Sequence, residues 1–228
     1  MDKPHITLIG MGLIGSSIGH ALKRGDLAAH ITGYARSAET RQKALNIGFV
    51  DSIADSLKGA VAEADIVFLN VPVGMIAEIV RDMAPSLKPG AIVTDVGSVK
   101  KSVMDAVHEH LTKNTTFVPA HPIAGTELSG PEAGFAELFD NRWCILTPDS
   151  ETDKQAVQTI SDLWRAMGSD VETMDADHHD LVLAITSHVP HLIAFNIVGT
   201  AAHLEAVTQS EVIKYSAGGL RDFSRIAA

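Results

Sequence analysis

The chain has 228 residues, of which 46% are hydrophobic and 20% are charged, a composition typical of globular proteins rather than disordered or fibrous ones. Its 28 acidic and 18 basic side chains give a net charge of -10, which argues against general binding to nucleic acid or anionic lipid. No basic run precedes an apolar stretch at the N-terminus, and His and Pro interrupt the longest apolar runs, so we expect a cytoplasmic protein without a membrane span.

Short apolar runs alternate with amphipathic stretches over the first hundred residues. This alternation is typical of parallel strands that are connected by crossover helices and covered on both faces. The predicted strands are residues 5–9, 30–34, 66–70, 91–95 and 116–118. The predicted helices between and after them are residues 16–24, 38–47, 75–83 and 100–111.

The next predicted elements are a strand at 143–146, a helix at 153–167 and a strand at 171–174, which we expect to extend the same sheet. Residues 176–203 are almost continuously apolar or histidine-bearing, with Pro190 as the strongest breaker. This segment predicts a long, largely buried helix with a bend, and such a helix needs a partner surface. We therefore expect an α/β domain over residues 1–174 and an all-α domain over 175–228 that contributes to a homodimer.

A glycine-rich turn follows the first strand and precedes the first helix. The segment GMGLIG, residues 10–15, has the spacing Gly-x-Gly-x-x-Gly in the order strand, turn, helix that dinucleotide binding requires. Gly10 permits the tight turn, Gly12 admits the pyrophosphate, and Gly15 permits close packing of the helix, with Leu13 and Ile14 in its first turn. These residues predict a Rossmann-type dinucleotide-binding domain.

The end of the second predicted strand bears on the choice between NAD and NADP. A carboxylate that binds the ribose hydroxyl is expected there in NAD-binding proteins, but this chain has Ala35, Arg36 and Ser37. Arg36 and Ser37 are suited to a 2′-phosphate, so the residues favour NADP over NAD. The alternative is that Arg36 is a solvated surface side chain.

Polar groups follow the carboxyl ends of the later strands, where ligands bind in open α/β sheets. Val71 and Pro72 end one strand beside the expected cofactor, and Ser98 follows the next strand, close to the expected nicotinamide. Ser98 is alternatively the N-cap of the following helix. His121 lies between turn-forming residues at the same edge, and as a group that titrates near neutral pH it is the candidate base for a substrate hydroxyl.

Four segments closely resemble the prephenate/arogenate dehydrogenase family, also called cyclohexadienyl dehydrogenases. They are DVGSVK (95–100), HPIAGTELSG (121–130), SHVPH (187–191) and GGLRDFSR (218–225). The resemblance implies NAD(P)-dependent oxidative decarboxylation of prephenate to 4-hydroxyphenylpyruvate, or of arogenate to tyrosine. It also implies a Rossmann domain followed by a helical dimerisation domain.

The family's residue roles are carried over to matching positions of this chain. His121 is then the catalytic base at the ring hydroxyl, and Ser98 assists at the same oxygen. The residues implied in substrate binding are Thr126, Glu127 at the site entrance, His191 at the substrate side chain and Arg225 at the ring carboxylate. His179 and Asp180 also recur in the family pattern, and we interpret both as structural.

Several alternatives stay open from the sequence. His188 and His191 are spaced as metal ligands, but without a clear third ligand we expect no metal. Cys144 is interpreted as a small core residue, and as the only cysteine it excludes an internal disulfide. A 3-hydroxyacid-type dehydrogenase and a non-catalytic dinucleotide sensor are the alternative functions.

The family sequence continues beyond the arginine at 225, whereas this chain ends at Ala228, which predicts that the family's C-terminal helices are missing.

Overall fold

The computed structural model describes residues 3–203 together with the isolated positions 211, 214, 215, 218 and 220. The chain forms two compact units, residues 1–179 and residues 180–228. The predicted domain boundary after residue 174 stays a prediction.

The first unit contains a six-stranded parallel sheet in the order β3-β2-β1-β4-β5-β6. The order reverses beside β1, so the connections that follow β1 and β4 leave toward opposite sides of the sheet and a crevice lies between them. The strands are β1 (His5–Ile9), β2 (His30–Tyr34), β3 (Ser52–Ile53), β4 (Ile66–Leu69), β5 (Ile92–Asp95) and β6 (Thr116–Val118). The helices between them are α1 (Leu13–Arg24), α2 (Ala38–Ile47), α3 (Leu57–Val61), α4 (Ile76–Met83) and α5 (Lys101–His108).

Both faces of this sheet are covered, which is why its central strands read as continuous apolar runs. On one face, Leu8 and Phe68 pack with Ile18 of α1. On the other face, Val67 packs with Val80 of α4. The prediction of a doubly covered Rossmann-type sheet is confirmed.

The prediction that the later strands extend this sheet is wrong. Strand β7 (Ala120–Pro122), strand β8 (Trp143–Leu146) and strand β9 (Asp170–Thr173) form a separate three-stranded sheet in which β8 is antiparallel to β7 and parallel to β9. Helix α6 (Lys154–Ala166) connects β8 to β9. Its Trp164 packs edge-on against Phe68, so the second sheet shares the core of the first.

The separation of the two sheets has a physical cause at the start of β7. Proline has no backbone N–H to donate to a ladder, and Pro119 directly precedes this short strand while Pro122 is its last residue. The backbone N–H of Ala120 donates instead to a carboxylate oxygen of Asp95 at 3.1 Å. The chain therefore leaves the first sheet after β6 and pairs with β8.

A long helical segment follows β9. It comprises α7 (Ala176–Leu183), a π-helical turn at Ala184–His188 and α8 (Val189–Ala202). The π turn ends two residues before Pro190, whose nitrogen has no hydrogen to donate to the helical hydrogen bonds. The distortion of the helix therefore lies close to the residue that was predicted to break it.

In the single chain this helix is mostly exposed, so its expected burial against a partner surface stays a prediction. Only 11% of its most apolar window is buried, and by length and composition the helix Ala176–Ala201 is sufficient to cross a membrane. Its exposed apolar side chains are Leu181, Ile185, Val189, Leu192, Ile193 and Phe195.

Candidate active site

A cleft of ≈ 430 Å³ lies at the carboxyl ends of β1, β2 and β4, where the strand order reverses. Ligands of open α/β sheets bind at such a switch point. The predicted cofactor residues that line the cleft are Gly10, Gly12, Ala35, Arg36, Val71 and Pro72. Leu13, Ile14 and Gly15 lie in the first turn of α1, which begins beside the cleft.

The glycine turn packs against backbone on one side and faces open space on the other. Gly10 has φ +92°, and a Cβ there would lie 2.3 Å from the carbonyl oxygen of Asn70. A Cβ on Gly15 would lie 2.2 Å from the carbonyl oxygen of Gly10. A Cβ on Gly12 would meet nothing within 4 Å, so the space above Gly12 remains open for a ligand at the helix N-terminus.

Asn70 also lines the cleft, and sequence reasoning missed it. Its side-chain nitrogen and oxygen are both buried, and neither has a hydrogen-bond partner among the residues that the structure describes. Buried polar atoms without partners are costly, so this amide is suited to a polar ligand in the cleft. The amide and the open face of Gly12 both fit a dinucleotide. The available signal was a polar residue placed directly after a fully buried strand.

Two arginines lie near the end of β2: Arg36 follows the strand, and Arg41 is in the first half of α2. Arg36 is exposed and lines the cleft. Arg41, which sequence reasoning did not select, donates from Nη1 to the carbonyl oxygens of Ala35 at 2.6 Å and Arg36 at 3.1 Å. Ser37 caps α2, since its Oγ accepts the backbone N–H of Thr40 at 3.3 Å. The carboxylates of Glu78 and Asp82 line the same cleft from α4.

A buried ion pair lies behind the turn that follows β5. The side chains of Asp95 and Lys100 are both 0% exposed and are paired with each other. Asp95 also accepts the backbone N–H groups of Gly97 at 2.8 Å and Ala120 at 3.1 Å. Lys100 donates to the carbonyl oxygen of Ala120 at 2.7 Å. This pair therefore fixes the β5–α5 turn and the start of β7 in one arrangement.

Ser98 lies in that turn and is exposed to solvent. The N-cap of α5 is Lys100, two residues later, so the alternative interpretation of Ser98 as the helix cap is wrong. The turn extends past Ser98 because the backbone has to bring Lys100 back to Asp95.

His121 is in the middle of β7 and is 9% exposed. Its Nδ1 lies 2.9 Å from Nε2 of His179, which is on α7 and 0% exposed. The two rings meet at 66° with centroids 5.1 Å apart. Both residues belong to the first unit, and the contact leaves the second nitrogen of His121 pointing away from His179.

The remaining predicted residues are distributed over both units. Thr126 and Glu127 lie in the loop after β7, where the Thr126 hydroxyl accepts the backbone N–H of Leu128 at 3.2 Å and Glu127 is exposed. His191 is exposed on α8 in the second unit, and its Nδ1 donates to the carbonyl oxygen of Ser187 at 2.7 Å. Arg225 lies outside the described residues.

Cys144 has the environment expected of a core residue. It is fully buried on β8, and burial raises the pKa of its thiol well above the ordinary value, so it remains protonated. Within the described part of the chain, no three His, Cys, Asp or Glu side chains form a group suited to a metal ion.

Comparison with known families and proteins covers almost the whole chain. Residues 18–173 match the nucleotide-binding domain of prephenate dehydrogenase, and residues 175–228 match the dimerization domain of prephenate dehydrogenase. The cyclohexadienyl dehydrogenase of Zymomonas mobilis is 44% identical over 98% of this chain and 76% of its own length. The prephenate dehydrogenase of Bacillus subtilis is 37% identical over 99% of this chain, which spans 61% of that relative.

Solved structures give the same result. A prephenate dehydrogenase from A. aeolicus, in complex with hydroxyphenyl propionate and NAD+, has a TM-score of 0.90 and 34% identity, over 100% of this chain and 79% of that one. Synechocystis arogenate dehydrogenase has a TM-score of 0.80 and 28% identity, over 97% of this chain and 78% of that one.

Replacing one partner of the buried ion pair tests its role in stability. We expect Lys100→Met to lower the free energy of unfolding by about 3–5 kcal/mol, because the Asp95 carboxylate remains buried without its cation. The matched control is Lys101→Met, at a side chain that is 57% exposed, for which we expect a change within about 0.5 kcal/mol. Urea unfolding measures both, and equal effects of the two variants would contradict the assigned role.

Proposed function

The chain belongs to the prephenate dehydrogenase family, and from that membership we propose how its own residues carry the reaction. As an oxidoreductase of this family, it uses a nicotinamide dinucleotide to oxidise and decarboxylate prephenate, arogenate or both, in tyrosine biosynthesis. Family membership decides against the 3-hydroxyacid and sensor interpretations. The observation that carries the residue assignment is a buried His121 whose Nδ1 is already occupied by another side chain.

His121 is the general base in this proposal. Its Nε2 takes the proton of the substrate's ring hydroxyl while hydride leaves the carbon that bears this hydroxyl. The bond from the ring to its carboxylate breaks, carbon dioxide departs, and the electron pair of that bond makes the ring aromatic. The proton on His121 then returns to the ring oxygen, so no net proton is consumed. A positioned base contributes typically about 10²–10⁴-fold to such a step.

Other residues orient the reactants. Ser98 donates a hydrogen bond to the same ring oxygen from the exposed side of the β5–α5 turn. On the family resemblance, Thr126, Glu127, His191 and Arg225 bind the substrate. An arginine is suited to this task because its planar guanidinium binds a carboxylate through two parallel hydrogen bonds.

The cleft holds the dinucleotide, which supplies the hydride acceptor when bound. Gly10, Gly12, Leu13, Ile14 and Gly15 bind its pyrophosphate through the turn and the N-terminus of α1. Val71, Pro72 and Ser98 lie on the nicotinamide side. Ala35, Arg36 and Ser37 lie on the adenosine side, where the absence of a carboxylate at 35–37 and the exposed Arg36 support NADP over NAD.

The apolar face of the α7–α8 segment is proposed to be covered by a second copy of the chain. This proposal is supported by the match of residues 175–228 to a dimerization domain and by the exposure of Leu192 (67%) and Ile185 (64%). Apolar surfaces of this extent require cover in water. We therefore propose a homodimer in the cytoplasm rather than a membrane-bound protein.

An assay of the purified chain tests the reaction. We expect reduced nicotinamide and carbon dioxide to form in equal amounts with prephenate, arogenate or both, in a comparison of each substrate with NAD+ and NADP+.

His121→Asn should lower kcat by about 100-fold without changing the Kd of the cofactor, because the role of His121 is proton transfer. His108→Asn, on the exposed end of α5, is the control. Inactivity of the wild-type chain in all four combinations would refute the function, and equal loss of cofactor binding in His121→Asn would refute the assignment.

Cofactor preference is tested at Arg36. If its guanidinium binds the 2′-phosphate, Arg36→Ala should weaken NADP+ binding by about tenfold, or about 1.4 kcal/mol, and leave NAD+ binding unchanged. Arg81→Ala, which removes an exposed cation from α4, controls for the general change in charge. Calorimetric Kd values for both dinucleotides give the answer. An equal loss of affinity for NAD+ and NADP+ would show that Arg36 does not bind the 2′-phosphate.

The oligomer is tested by sedimentation without detergent. We expect the wild-type chain to sediment as a dimer and Leu192→Asp to shift it toward a monomer, because a buried charge without a partner opposes association. Leu45→Asp replaces an exposed leucine of α2 and should leave the dimer intact. A wild-type monomer, or a chain that requires detergent to stay in solution, would contradict the proposal.

A further inference from the structure

The partner of His121 is a second histidine. A catalytic histidine commonly has its non-reacting nitrogen held by a carboxylate or a carbonyl oxygen, which selects the tautomer of the ring. In this chain the group at 2.9 Å from Nδ1 of His121 is Nε2 of His179. An imidazole nitrogen either donates or accepts a hydrogen bond, so the pair has two possible proton arrangements.

Only one of these arrangements makes His121 a base. If His179 donates from Nε2, then Nδ1 of His121 is the acceptor and its Nε2 carries the proton, which leaves no lone pair for a substrate hydroxyl. If His121 donates from Nδ1, its Nε2 is unprotonated and carries a lone pair that can accept a proton. His179 is then neutral, with its own proton on Nδ1.

The scaffold holds His179 in place for this contact. Asp175 caps α7, since its Oδ1 accepts the backbone N–H groups of Asp177 at 2.9 Å and His178 at 3.1 Å. The N–H of His179 donates to the carbonyl oxygen of Asp175 at 2.9 Å, and the N–H of Met174 donates to Leu146 of β8 at 3.1 Å. His121 pairs with the same strand in register with Ile145. Strand β8 therefore fixes the positions of both rings.

His179 is fully buried, and in this arrangement it accepts the hydrogen bond as a neutral ring. A neutral acceptor still stabilises the imidazolium that forms when His121 takes a proton, because the Nδ1–H of that imidazolium becomes a charge-assisted donor. The contact thus strengthens as the proton arrives.

From this geometry we propose that His179 is a positioning residue for the reaction: it accepts the Nδ1–H of His121, and so keeps Nε2 of His121 unprotonated and directed toward the substrate hydroxyl. This inference rests on the proposed role of His121 as the base. It replaces the interpretation of His179 as structural.

Two substitutions of His179 separate positioning from packing. His179→Leu removes the acceptor, whereas His179→Gln places an amide oxygen near the former position of Nε2. We expect His179→Leu to lower kcat by about tenfold to hundredfold, with KM and cofactor Kd nearly unchanged, and His179→Gln to recover most of the loss. His178→Gln, at the exposed neighbouring histidine, is the matched control and should behave as wild type.

A double variant tests whether the two histidines act as one unit. In the His121→Asn background, His179→Leu should cause no further loss of kcat, because the group that it positions is absent. Independent, multiplying losses would contradict the proposal. An unchanged kcat in His179→Leu would also contradict the proposal. So would equal decreases of kcat in His179→Leu and His179→Gln, if the two variants also lose equal free energy of unfolding.

The tautomer is measured directly by nitrogen-15 NMR of the wild-type chain with labelled histidine. We expect His121 to be protonated on Nδ1 and unprotonated on Nε2 near neutral pH, and the opposite tautomer would overturn the proposal. This measurement requires no turnover and no folded variant. Failure of the proposed function, seen as an inactive wild-type chain, is therefore distinguishable from failure of this inference.

Discussion

The buried ion pair between Asp95 and Lys100 is the interaction on which the arrangement of the first unit depends. Each side chain is fully buried, so neither charge is tolerated without the other. Asp95 also accepts the N–H of Ala120, and Lys100 donates to the carbonyl oxygen of the same residue. These bonds attach the second sheet to the end of β5. They consequently fix His121, one residue later, relative to the turn that carries Ser98.

The first unit separates cofactor binding from proton transfer. The cleft at the switch point of the six-stranded sheet provides an open glycine turn and the buried amide of Asn70, which has no hydrogen-bond partner in the described part of the chain. The three-stranded sheet provides His121, with His179 on the following helix. The buried ion pair lies between these two parts. This division suits a reaction that relies mainly on orientation and a base.

Much of the fold was predictable because its signals are local. Five of the six parallel strands were predicted from short apolar runs, and the turn at Gly10 has a spacing that few other structures require. The two-residue β3, Ser52–Ile53, was missed because so short a strand has no pattern. The second sheet was not predictable from β7, since three residues that include a histidine and a proline give no strand pattern. Lys100 resembled an ordinary helix residue, and its burial depends on Asp95 across a turn. The role of His179 depends on a contact over 58 residues, which spacing along the chain does not reveal.

The central claim is that His121 offers Nε2 to the ring oxygen while its Nδ1 remains on His179. A crystal structure of this chain with NAD+ and hydroxyphenyl propionate, the ligands bound in the A. aeolicus structure, tests it most directly. We expect the phenolic oxygen to lie about 2.6–3.2 Å from Nε2 of His121, with the contact between His121 and His179 intact. A phenolic oxygen bound elsewhere, or a His121 ring turned so that Nδ1 meets the ligand, would contradict it.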